Sequence, residues 1–193
     1  RFMPRILLVL LLVFAGPAHA AAVLVVGDSL SAAYGIAAGE GWVALLDRRL
    51  RDAGTGHVVV NASISGETTS GGLLRLPALL ASEQPAVVLV ELGANDGLRG
   101  LAIDAARDNL AAMLAAIRDA GARAVLVGIE LPVNYGPRYR EGFRSMYRGL
   151  ADEFNVPLVP FLLEGVALDD ALMQDDGLHP NAAGQARLLD NVW

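Results

Sequence analysis

V-L-V-V-G-D-S-L-S, Val23 to Ser31, carries the reading of this chain. Small apolar residues run into a glycine, and an aspartate and a serine follow. A short apolar run bounded by turn residues is the form a strand takes when both of its faces are buried. The serine then stands at the strand's tip. It either shapes a turn or acts as a nucleophile, and the rest of the chain has to decide between the two.

Downstream, strand-like and helix-like patterns alternate. Ala22 to Gly27 is the first strand. Trp42 to Ala53 sets Trp42, Leu45, Leu46 and Leu50 on one helical face. His57 to Ala62 reads as a second strand. Leu73 to Ala81 reads as a helix, with Pro77 starting or kinking it. A-V-V-L-V-E-L, Ala86 to Leu92, is the clearest strand. Ile103 to Ala120 is a long helix that Gly121 ends. Ala122 to Ile129 is a fourth strand, Arg138 to Phe154 a helix, Val156 to Val159 a short fifth strand, and Asn181 to Val192 a last helix behind Pro180. Strict alternation predicts an α/β domain whose parallel sheet is covered on both faces. In such sheets ligands bind beyond the carboxyl ends of the strands.

Composition narrows the function. Of 193 residues, 54% are hydrophobic and 19% charged, enough for a real core in one domain. The net charge is -6 and no basic cluster is present, which argues against a nucleic-acid partner. There are no cysteines, so thiol nucleophiles, disulfides and Cys-based zinc sites are excluded. No H-E-x-x-H occurs, and the acidic pairs Asp169-Asp170 and Asp175-Asp176 read as solvated loop charges, so neither a metal nor a cofactor is expected. Residues 1–20 read as a secretory signal: Arg1 and Arg5, an apolar Ile6 to Phe14, and Ala18-His19-Ala20 as a cleavage site. The apolar stretch is too short for a membrane anchor, so a periplasmic or secreted domain from residue 21 to 193 is expected, with no stable membrane span and as a monomer.

The strand ends carry the polar residues. Gly27-Asp28-Ser29 follows the first strand, Asn61 to Thr68 the second, and Gly93-Ala94-Asn95-Asp96-Gly97 the third. Asp175-Asp176-Gly177-Leu178-His179-Pro180 lies in the long loop after the fifth. A serine hydroxyl needs a base to take its proton. Of the three histidines, His19 lies in the leader and His57 at the far end of the second strand, which leaves His179. A histidine base needs a carboxylate to fix its tautomer. Asp176, three residues earlier and next to a flexible Gly177, ranks first; Asp175 is a rival, and Asp28 and Asp96 read better as loop braces. Ser29 N–H, Gly66 N–H and the Asn95 amide could converge as an oxyanion hole. Asn95 also sits in N-D-G, which is ordinary turn chemistry.

Four blocks in chain order resemble the GDSL, or SGNH, hydrolases: G-D-S-L-S at Gly27 to Ser31, N-A-S-I-S-G-E-T-T at Asn61 to Thr69, G-A-N-D-G at Gly93 to Gly97 and D-G-L-H-P-N at Asp176 to Asn181. L-P-V-N-Y-G-P-R-Y, Leu131 to Tyr139, and N-D-G-L-R-G, Asn95 to Gly100, are similar to the bacterial periplasmic thioesterase, lysophospholipase and arylesterase branch. The resemblance implies a flavodoxin-like three-layer α/β/α sandwich on a five-stranded sheet. It implies a metal-free esterase with Ser29 as nucleophile, His179 and Asp176 completing a triad, and Gly66 and Asn95 completing the oxyanion hole with Ser29. It also implies that Leu98, Leu131, Tyr135 and Leu178 border an acyl pocket for a small ester, thioester or lysophospholipid. One departure is that the chain stops at Trp193, soon after the last helix begins, so a shortened C-terminal helix is expected.

Other readings compete. A carbohydrate O-acetylesterase would use the same blocks. A phosphate- or ligand-binding module could use the same sheet edge. Gly39 to Ala44 matches G-x-G-x-x-A, yet it lies well past the strand end and no G-K-[ST] loop is present. A lectin-like or scaffolding domain has no physical need for Ser29, Asn95, Asp176 and His179 together. The elbow G-x-S-x-G of α/β-hydrolases is disfavoured because Ser31 replaces its second glycine.

Overall fold

A computed structural model describes residues 21–193; the leader read in residues 1–20 lies outside them. Five strands, β1 (Ala22–Gly27), β2 (Val58–Asn61), β3 (Val87–Glu91), β4 (Arg123–Val127) and β5 (Leu158–Val159), form one parallel sheet in the order β2-β1-β3-β4-β5. All four pairings are parallel. The strand order reverses between β1 and β3, so a crevice opens there at the carboxyl edge.

Strand sequence follows sheet position. The central strands β1 and β3 are buried on both faces, which is why they read as unbroken Val/Leu runs. Edge strand β2 is only half-buried. Six helices cover the sheet: α1 (Trp42–Asp52), α2 (Thr69–Glu83), α3 (Ala94–Leu98), α4 (Ile103–Asp119), α5 (Pro137–Phe154) and α6 (Gln185–Val192). α1 packs on α6, whereas α2, α4 and α5 pack side by side as the opposite layer. The apolar stripe of α4 buries Leu110, Leu114 and Ile117 as its period requires. No helix among the described residues is long and apolar enough to cross a membrane.

Three readings need correction. α2 begins at Thr69, earlier than Leu73, because Thr68 caps it by accepting the Gly71 N–H. Its first turns carry Gly71 and Gly72, and close packing requires the second: a Cβ on Gly72 would lie 2.3 Å from Leu92 Cδ1. Pro77 stays inside the helix on its exposed side. The short helix α3 is absent from the pattern reading, since five residues hold no period. The last helix opens with a 3-10 turn at Ala182–Gly184, whose N–H groups bond to Asn181 Oδ1, and only then becomes α6.

Candidate active site

Ser29 sits in a tight turn that closes β1. Ala32 N–H donates to the Asp28 carbonyl at 2.9 Å, and Leu30 N–H to Asp28 Oδ1 at 3.0 Å. The loop after β2 is tied to the same turn. Ile64 N–H donates to the Gly27 carbonyl at 3.0 Å and Asn61 Nδ2 to the Ser31 carbonyl at 2.8 Å, which brings Gly66 alongside. Asn95 rides on α3. The chain enters that helix through Gly93 at φ 122, where a Cβ would lie 2.3 Å from Tyr147 Oη.

His179 arrives from a small hairpin. Met173 and Pro180 form an antiparallel bridge, and Gln174 N–H donates to the His179 carbonyl at 2.8 Å. Gln174 Nε2 donates to the Tyr34 carbonyl at 2.8 Å, joining this hairpin to the β1 loop. The Tyr34 ring lies 4.5 Å from the imidazole, centroid to centroid.

The geometry joins three side chains in a line. His179 Nε2 is 2.9 Å from Ser29 Oγ, and His179 Nδ1 is 2.6 Å from Asp176 Oδ2. The other Asp176 oxygen accepts the N–H groups of Leu178 and His179 at 2.9 and 3.0 Å. Partial burial pulls the Asp176 carboxyl upward, but the hydrogen bonds from His179 and from both backbone N–H groups outweigh it and hold it down to about 2. An ionised carboxylate can only accept. Nδ1 therefore carries the ring proton, and Nε2 is left to accept the Ser29 hydroxyl hydrogen. Asp175, the rival carboxylate, lines the neighbouring groove with Gly35, Gln174 and Asp176 itself, but it is Asp176 whose carboxylate reaches the ring. His57 precedes β2 at the opposite end of the sheet.

Ser29, Gly66, Asn95 and His179 line one cavity of about 590 Å³. Leu98, Leu131 and Leu178 also line it. Leu30, Ile129, Phe161, Leu163 and Met173 add to its apolar wall; the sequence reading missed them, although Ile129 and Phe161 could have been found as residues just past β4 and β5. Tyr135 does not line this cavity, contrary to what the resemblance implies. Its hydroxyl donates to the Leu98 carbonyl at 2.7 Å and its ring stacks on Tyr139, so it braces the wall from behind.

Asp28 and Asp96 are braces, each with a definite task. Asp96 accepts the Thr69 N–H and hydroxyl, at 2.9 and 2.6 Å, and so pins the start of α2 to α3. Asp28 Oδ2 accepts one amide hydrogen of Asn95 at 3.1 Å. Burial pushes the Asp28 carboxyl up to about 6, against the lowering effect of the Leu30 N–H, of His179 and of Asn95.

The model of the GDSL-like lipase/acylhydrolase family matches residues 25–187. The chain belongs to that family. The match runs from within β1 to within α6 and so contains Ser29, Gly66, Asn95, Asp176 and His179. Among relatives, it is 56% identical over 176 residues to "Esterase TesA" of Pseudomonas aeruginosa, covering 91% of this chain and 88% of the relative. It is 48% identical over 188 residues to "Thioesterase 1/protease 1/lysophospholipase L1" of Escherichia coli, covering 97% of this chain and 88% of the relative. The solved psychrotrophic esterase EstA from Pseudoalteromonas sp., inhibited by monoethylphosphonate, superposes with a TM-score of 0.85 at 43% identity over 89% of this chain and 93% of that one. The fold is thus that of the SGNH hydrolases, as the alternation and the four blocks imply.

Proposed function

We propose that this GDSL hydrolase is a serine esterase that cleaves carboxylic ester and thioester bonds through an acyl-enzyme on Ser29. The unbroken line from Ser29 Oγ through His179 to Asp176, at the polar end of an apolar cavity, carries the reading. His179 Nε2 takes the hydroxyl proton as Ser29 Oγ attacks the acyl carbon. Asp176 holds the ring and stabilises the imidazolium. The oxyanion rests against Ser29 N–H, Gly66 N–H and the Asn95 Nδ2–H not used by Asp28. His179 then gives its proton to the departing alkoxide or thiolate. Water enters, His179 takes its proton as the oxygen attacks the acyl carbon, and His179 gives that proton to Ser29 Oγ as the acyl–Oγ bond breaks and the carboxylic acid leaves.

The cavity wall supports an aliphatic acyl chain more than a sugar-borne acetyl group. Apart from Glu130 and Arg140, its rear is built of leucines, Ile129, Phe161 and Met173, with no set of polar groups suited to a pyranose. A lysophospholipid or a long-chain thioester fits that chemistry. The phosphonate inhibition of the EstA relative supports the serine-esterase chemistry, because a phosphonate mimics the tetrahedral oxyanion that a serine esterase stabilises. The leader-like pattern of residues 1–20 supports an exported enzyme acting on such lipids.

Hydrolysis of p-nitrophenyl acetate, butyrate, octanoate and palmitate, and of lysophosphatidylcholine, by the wild type and Ser29→Ala tests the reading. Turnover that rises with acyl length and disappears in Ser29→Ala is expected. Acetate preference with no lysophospholipid turnover would move the substrate to the acetylated-sugar class.

A further inference from the structure

Glu91 is the last residue of β3, the central strand, and the hydrolysis scheme gives it no task. It is fully buried. One of its oxygens, Oε2, accepts the Ser31 hydroxyl at 2.7 Å and the Asp28 N–H at 3.3 Å. Those two donors lie on either side of Ser29 in the chain. The other oxygen, Oε1, is buried with no hydrogen-bond partner. Across the β1–β3 ladder Glu91 faces Gly27. A Cβ at Gly27 would stand 2.9 Å from Glu91 Oε2 and 2.7 Å from Ser31 Cβ, so the glycine before the nucleophile turn is required by the carboxyl that grips the turn.

We propose that Glu91 is a positioning residue for hydrolysis, and that it works as a neutral carboxylic acid clamping both flanks of the Ser29 turn. The inference rests on Ser29 being the nucleophile. The donor inventory assigns the proton. Each oxygen of Asp28 has an N–H donor, from Leu30 and from Asn95, whereas Glu91 has an oxygen with none. An ionised Glu91 would leave a buried charge with donors on only one oxygen, beside a second carboxylate, an arrangement that is strongly unfavourable. The titratable groups around the pair are His179, which faces Asp28, together with Asp96 on α3 and Tyr147 on α5, and no arginine acts on Glu91. Burial first, and then the Asp28 charge, push the Glu91 carboxyl well above the usual carboxylate range. Asp28 is thereby left to carry the negative charge that orients Asn95.

The test uses Glu91→Gln, Glu91→Ala and Ser31→Ala, with kcat and KM on a p-nitrophenyl ester and the rate at which a fluorophosphonate labels Ser29. A nucleophile turn misplaced by about 1 Å lowers turnover by about a hundredfold. Glu91→Ala is expected to lose kcat and labelling rate on that scale with KM nearly unchanged. Glu91→Gln, which keeps the shape and neutrality, should retain both within about threefold. Ser31→Ala should fall between them and add nothing to Glu91→Ala, because both remove the same clamp. An infrared carboxylic-acid carbonyl band at pH 7 should be present in the wild type and missing from Glu91→Gln.

Wild-type labelling rates in Glu91→Ala or in Ser31→Ala would overturn the positioning role. A Glu91→Gln variant as impaired as Glu91→Ala, or no difference in the infrared band, would overturn the neutral acid. If Glu91→Ala does not fold, Glu91→Gln and Ser31→Ala decide the matter alone. Failure of wild-type Ser29 to label at all is a separate outcome that removes the hydrolase reading itself.

Discussion

Asp176 holds His179 at two points: Oδ2 lies 2.6 Å from the ring Nδ1, and Oδ1 accepts the backbone N–H of the same residue at 3.0 Å. A separation of three residues makes this double grip possible, and Gly177 at φ 65 supplies the bend between them. One carboxylate thus fixes the ring's tautomer and the backbone that carries it.

The double grip predicts a linked loss of activity and acid stability in Asp176→Asn. Turnover should fall by about three to four orders of magnitude, as for removal of other triad carboxylates. The folded carboxyl is lowered from 3.8 to about 2, so its stabilisation is present above about pH 4 and is lost as pH falls towards 2. Thermal unfolding of both proteins from pH 6 to pH 2 should show the wild type losing its advantage across that interval. The group is partly exposed, so solvent screening keeps the advantage small.

Asn95→Ala removes a side-chain donor at the cavity without touching the sheet. Loss of one oxyanion donor typically lowers kcat by about two to three orders of magnitude. Steady-state kinetics should show that loss with KM little changed, and the unfolding temperature should fall as well, because the buried Asp28 Oδ2 loses its amide donor. A change confined to KM would assign Asn95 to ground-state binding.

Asp28→Asn should trade activity for stability. The carboxyl is fully buried, and its value in the folded protein is raised from 3.8 to about 6. A raised value favours folding at low pH, and that contribution is lost as pH rises through about 6. Asparagine does not titrate. Denaturant unfolding at pH 4 and pH 7.5 should therefore show the variant gaining on the wild type as pH rises. Its amide meets the amide of Asn95 donor to donor, so kcat should drop.

Gly97 lies behind the acyl cavity, and a Cβ there would come 2.4 Å from Leu131 Cδ2. The leucine must swing away, and it lines the cavity. Gly97→Ala should narrow the chain-length range, lowering kcat/KM for long p-nitrophenyl esters by about tenfold more than for acetate, a cavity-wall effect of roughly 1–2 kcal/mol. Equal loss on all chain lengths would place Leu131 outside the acyl path.

Much of this architecture was legible because burial leaves periodic traces. Val23 to Val26 and Val87 to Val90 lie in the two central strands, and their unbroken apolar runs record two covered faces. The site residues were legible because the strand-end rule cut the candidates to a few loops, and His179 was the one histidine in them. What stayed hidden has no local period. α3 is too short to show one, and Gly71-Gly72 disguised the start of α2 because their role is close packing. Tyr135 was misplaced because a motif fixes the loop, while its hydroxyl turned instead to the Leu98 carbonyl. Glu91 read as the end of a strand; only the three-dimensional register sets it against Gly27 and Ser31.

The decisive experiment on Ser29 is to treat the protein with a fluorophosphonate and map the adduct by peptide mass spectrometry, with His179→Ala alongside. A single adduct on Ser29 is expected, with labelling slowed by about three orders of magnitude or more when His179 is removed. A folded protein that takes no label, that is labelled at Ser31 or Ser65 instead, or that labels Ser29 equally fast without His179, would contradict it.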